Sequence, residues 1–105
     1  MAIVAVSVAP AGVGTSLSEY VARAVRIALD DPRVTARLDP MFTTLEGDLD
    51  DCLDVARKMH EAMFEAGAQR ASTIIKIDDR RDRAITMDGK LKAVESKLDG
   101  KTSRN

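Results

Sequence analysis

The reading of this chain turns on Met41-Phe42-Thr43-Thr44-Leu45-Glu46-Gly47-Asp48. Met41 to Leu45 reads as a strand, because the β-branched pair Thr43 and Thr44 sits at its centre. Gly47 permits a tight exit, and Asp48 is a short carboxylate able to accept the orphan N–H groups of a first helical turn. Glu46 then stands at a rigid corner between strand and helix. Two readings of it are open. An acid near a helix start is favoured by the helix dipole, or the carboxylate is a ligand-binding group.

Downstream, the pattern from Asp48 to about Ala66 is helical, with Cys52, Val55, Ala56, Met59, Met63 and Ala66 on one stripe and Leu49 and Leu53 at its start. Gly67 is placed to end this helix in a left-handed turn. Cys52 reads as a small buried hydrophobe rather than a nucleophile. His60, between charged neighbours, reads as a solvated helix position. Residues 69–78 form another strand, with Ala71, Thr73, Ile75 and Ile77 sharing a face. The run Asp78-Asp79-Arg80-Arg81-Asp82-Arg83 is a solvated turn or a salt-bridge network between subunits. A last helix starts near Thr86 or Met87, and its narrow stripe of Met87, Leu91, Val94 and Leu98 suits docking onto one partner. Residues 99–105 are expected to form a flexible tail.

Upstream, Val34, Ala36 and Leu38 alternate with Thr35 and Arg37 as a half-buried edge strand, which a turn at Asp39-Pro40 joins to the pivotal one. Before it, Ser16 and Glu19 have capping-box spacing for a helix whose inner face is Leu17, Val21, Ala24, Val25 and Ala28. The loop from Pro10 to Thr15 contains Gly12 and Gly14 but no P-loop lysine, so a plain strand-to-helix turn is favoured over a phosphate cradle. Residues 2–9 are a β-branched strand, apolar on both faces and therefore central.

The chain has 105 residues, one domain's length, with residues 1–98 expected to make up that domain. Only three aromatics occur, so the core must be aliphatic, and a lone protomer of such small side chains gains from self-association. A net charge of −1 argues against nucleic acid or an anionic membrane as main partner. No signal peptide or membrane-length apolar run is apparent, and a cytoplasmic location is expected.

Strand, helix, strand, strand, helix, strand is the order of a split βαβ arrangement with right-handed crossovers. The expected class is α+β, a ferredoxin-like βαββαβ fold with an antiparallel sheet in spatial order 4-1-3-2 and an extra C-terminal helix. Both main helices cover one face. The other carries Ile3, Ala5 and Ser7, and an apolar open face of that size predicts a homo-oligomer.

Four stretches then resemble one family: Pro10-x-Gly12, Ser16-x-Ser18-x-Tyr20-Val21, Met41-x-Thr43-x-x-Glu46-Gly47 and Lys76-Ile77-Asp78-x-Arg80-x-Asp82. Together, and in this order over residues 2–98, they resemble the thiamine-binding protein family (UPF0045, DUF77). Phe42 departs from that pattern, since relatives tend to carry a small residue there, and its ring would narrow or reshape a pocket. The resemblance implies a ferredoxin-like fold assembled through its sheets into homodimers or homotetramers. It also implies binding of thiamine or its hydroxymethylpyrimidine moiety, without catalysis and with no cofactor required.

An aminopyrimidine site wants a carboxylate, hydroxyl acceptors and flat apolar walls. Glu46 supplies the first, Ser7 with Thr43 or Thr44 the second, and Met41 and Phe42 the walls. Alternation puts Thr43 and Thr44 on opposite faces, so at most one joins Ser7. No catalytic pair or triad and no metal-ligand cluster is evident. Asp48, Asp50, Asp51 and Asp54 are spread around a helix start rather than looped about a Ca²⁺ ion. The expected function is therefore non-catalytic, homo-oligomeric small-molecule binding. The alternative is a structural or regulatory oligomer that binds another protein through its sheet.

Overall fold

The computed structural model describes residues 1–98, so the expected tail at 99–105 lies outside the described residues. The elements are β1 (Ala2–Pro10), α1 (Ser18–Asp30), β2 (Thr35–Leu38), β3 (Thr43–Gly47), α2 (Leu49–Glu65), β4 (Ala71–Asp79) and α3 (Met87–Leu98). The sheet order is β2-β3-β1-β4, with every neighbouring pair antiparallel, as the element order predicts.

Val4, Val6 and Val8 of β1 and Leu45 of β3 face α1 and α2, where they pack with Ala24, Ala28, Cys52, Val55, Ala56, Met59 and Met63. No aromatic ring belongs to this buried set, and the many Ala positions let the helices approach the sheet closely. Thr73, Ile75 and Ile77 share that face, being paired with Val8, Val6 and Val4. Ile75 and Ile77 are nonetheless 42% and 46% exposed, because β4 is an edge strand at the margin of the helix layer.

Several local expectations need correction. β1 runs through Pro10. Ala11 N–H donates to the Arg70 carbonyl at 2.7 Å, so alternation turns the Pro10 nitrogen away from β4. The other side is free there, since β3 pairs with β1 only from Ala2 to Val6. α1 begins at Ser18 rather than Ser16, with Leu17 in the capping position and no side-chain cap. Ser16 thus stands before the first turn, out of register with Glu19, and the capping box does not form. Leu38, expected inside, is 60% exposed at the hairpin end. His60 is half-buried, its Nδ1 2.6 Å from Thr73 Oγ1 and its ring edge-on to Phe64, so it ties α2 to β4 instead of facing water.

The correction that matters most concerns the decisive stretch. β3 is Thr43–Gly47, two residues later than the sequence indicated, and the turn from Asp39 to Phe42 closes through Asp39 N–H to the Phe42 carbonyl at 2.9 Å. Gly47 is therefore a strand residue. A Cβ there would sit 3.0 Å from the Arg33 carbonyl and 3.3 Å from Val34 Cγ1, so glycine is needed for close approach rather than for a turn. Gly67 does adopt the expected left-handed conformation, φ 108°.

Asp48 occupies the capping position of α2 but makes no side-chain cap bond. Further along α2, Asp54 joins Asp31 and Asp51 around Arg33. The Arg33 guanidinium lowers the Asp31 and Asp54 carboxyls to about 2, which fits surface ion pairing rather than cation binding. No group of three or more potential metal ligands occurs among the described residues. The charged run begins within the end of β4, where Arg81 pairs with Asp79, Arg80 with Asp82, and Asp78 with Lys90 of α3. No helix among the described residues is long and apolar enough to cross a membrane.

Candidate functional site

Strand pairing sets out the sheet face that α1 and α2 leave uncovered. One row across it reads Arg37, Thr44, Ala5, Lys76, and the next reads Thr35, Glu46, Ile3, Asp78. Side chains in one row are neighbours on adjacent strands, so each row forms a contiguous stripe of floor.

α3 lies over part of this floor, and four polar ties hold its beginning. Glu46 Oε1 accepts the backbone N–H of Met87 at 2.6 Å. Thr86 Oγ1 accepts the N–H of Gly89 at 2.9 Å, the geometry of an N-cap hydroxyl. Arg37 reaches Asp88 at 2.8 Å from β2, and Lys90 pairs with Asp78 from β4. Glu46 thus serves as a helix-start acid for α3, forty-one residues downstream, and not for the helix that follows it in sequence. Met87 is buried, and Ile3 on the same face is only 8% exposed.

Between helix and floor remains a cleft of about 360 Å³. Ile3, Ala5, Met87, Leu91 and Val94 make its apolar walls, and Arg37, Asp39, Thr44, Lys76, Asp78 and Lys90 its polar rim. Leu91 and Val94 are 52% and 56% exposed, so the roof is apolar and open rather than packed shut. Asp88 holds Arg37 more firmly in its charged form, with Asp39 and Glu46 adding to the effect, and Arg37 in turn lowers the Asp88 carboxyl. Thr44 Oγ1 donates to Asp39 Oδ2 at 3.4 Å, a long contact that leaves both groups available to a third partner.

The expected site residues separate into two groups. Thr44 lines the cleft and Glu46 braces its roof. Thr43 is 4% exposed, opposite Val6 on the core side. Ser7 is on the open face one row beyond Ala5, yet it borders a different hollow of about 230 Å³ at the hairpin end, together with Thr43, Met41 and Phe42. Phe42 therefore does not narrow the α3 cleft. Sequence reasoning missed Asp39, Lys76, Asp78 and Lys90 as site residues, and took Arg37 only as an outward position of an edge strand. The one available signal was the narrow apolar stripe of α3, which indicated a docking surface without indicating that the chain's own sheet would provide part of it.

Comparison with known proteins adds the decisive observation: the family described as "Thiamine-binding protein" matches residues 4–95, from β1 into α3. This chain belongs to the thiamine-binding protein family. The match takes in both walls of the cleft. Among related sequences, a UPF0045 protein of Staphylococcus xylosus is 43% identical over 103 residues, covering 93% of this chain and 95% of the relative. Among solved structures, MJ1052 of Methanocaldococcus jannaschii, described as a hypothetical protein, superimposes with a TM-score of 0.83 at 33% identity over 90% of this chain and 95% of that one. A DUF77 domain of Bacillus cereus gives 0.78 at 32% identity, with 86% of each chain covered. The ferredoxin-like fold is thus the fold of the family.

Proposed function

We propose that this protein binds thiamine or its hydroxymethylpyrimidine moiety, as a homo-oligomer and without catalysing a reaction. The observation that carries the reading is the cleft between α3 and the open sheet face, in a chain of this family. Its volume of about 360 Å³ falls in the roughly 300–1,000 Å³ range of small-molecule sites, and it combines apolar walls with a few convergent polar groups. An aminopyrimidine ring fits between the methyl of Ala5 below and Leu91 and Val94 above. Asp39 and Thr44 offer oxygen acceptors to its exocyclic amine. The acidic surroundings of Asp39 and Glu46 favour a cationic ligand.

The oligomeric part of the reading rests on β4. It is a nine-residue edge strand, and its own Ile74, on the open face, is 58% exposed. A second copy covering that edge would remove both the unpaired backbone and the apolar surface from water.

Calorimetric titration with thiamine and with hydroxymethylpyrimidine tests the ligand. Saturable binding of at least one is expected, and Ala5→Leu, which fills the floor without entering the core, abolishes it. Absence of heat with both at millimolar concentration, or full binding by the Leu variant, sinks the proposal.

A further inference from the structure

The charges around the cleft are unevenly distributed. On the β2–β3 side stand Asp39, Glu46 and Asp88 against Arg37 alone, an excess of two negative charges. On the β4 side stand Lys76 and Lys90 against Asp78, an excess of one positive charge. Asp78 is taken up by Lys90, and Lys76 has no ion-pair partner among the described residues. Thr44 and Lys76 belong to the same row, separated by Ala5, so they are two strand spacings apart, about 10 Å.

From this polarity we infer that the site takes the phosphate monoester of its ligand in preference to the free alcohol, with Lys76 holding the phosphate. The inference rests on the ligand reading above. An aminopyrimidine at Asp39 and Thr44 directs the rest of the molecule across Ala5 towards β4. There a terminal hydroxyl meets no group that needs it, whereas a dianionic phosphate meets an unpaired ammonium with a second beside it. A lysine is a point-charge phosphate binder and needs no fixed fork geometry, so its flexible stem suits an open cleft. A cation at one end and an anion at the other match both halves of the charge pattern, which a purely cationic ligand does not.

The test compares thiamine with thiamine monophosphate by calorimetry on the full chain, unaltered and with Lys76→Gln. The monophosphate is expected to bind about tenfold more tightly than thiamine. Lys76→Gln is expected to erase that preference, read as the ratio of the two affinities measured on the same variant; the residue is exposed, so folding is undisturbed. Raising the salt concentration should reduce the preference as well. Equal affinities for the two ligands overturn the inference and leave thiamine binding intact. A preference that survives Lys76→Gln overturns the assignment to Lys76. Failure of both ligands to bind removes the underlying reading, and the inference with it.

Discussion

Glu46 on β3 and Met87 at the start of α3 are joined by a 2.6 Å hydrogen bond from the Met87 N–H to the Glu46 carboxylate. The bond satisfies one orphan donor of the helix and places a negative charge at its positive end. Together with the Arg37–Asp88 and Lys90–Asp78 pairs, this contact helps set the height of the cleft roof.

Replacing Glu46 with Ala therefore acts first on the helix and only then on the ligand. Loss of the cap is expected to weaken α3 locally by about 1 kcal/mol, which is about fivefold faster amide exchange over Met87–Leu91. Glu46→Gln keeps an acceptor and should retain most of the protection. Ligand affinity should fall in the same order, Ala more than Gln. Unchanged exchange in the Ala variant, measured by mass spectrometry, would show that the bond does not hold the helix.

The two adjacent threonines separate core from site. Thr44→Val is expected to weaken ligand binding roughly fivefold, because a hydroxyl is withdrawn from the cleft. Thr43→Val, on the opposite side, should leave affinity within about twofold and leave urea stability equal or higher, since Thr43 makes no side-chain hydrogen bond among the described residues. Reversed outcomes would place the ligand at the hairpin-end hollow instead.

Cys52 gives the fold an alkaline limit. It is fully buried, and burial pushes its thiol up to about 11 from an ordinary value of 9.0. The folded state keeps the proton through that interval while the unfolded chain releases it. Stability is therefore unaffected below about pH 9 and falls as pH rises towards 11, by up to about 3 kcal/mol from this group. Cys52→Ala removes the effect. The stability difference between the natural chain and the variant should shrink from pH 8 to pH 10.5 in urea denaturation; parallel profiles would contradict the burial argument.

Periodicity by itself determined the order of elements and the central position of β1, and with the crossover rule and the scarcity of aromatics it led to the sheet order and the aliphatic core. The elements themselves follow from which residues recur at intervals of two or of three and four, and that pattern is local. Gly67 and Cys52 were equally legible, because a left-handed turn and a helical stripe are written in neighbouring residues. The cleft was not. Glu46 lies forty-one residues before Met87, and Arg37 fifty-one before Asp88. No spacing rule spans such distances.

The register of β3 was decided by its partners. Pairing with β1 fixes Gly47 opposite Ala2, and this moves Glu46 from a corner onto the open face and Thr43 into the core. Which of two adjacent hydroxyls meets a ligand depends on how the strand is paired, Thr43 opposite Val6 and Thr44 opposite Ala5, and only the packed sheet supplies that register. Side-chain direction alternates along a strand, so the face a residue takes is a property of the pairing and not of the residue.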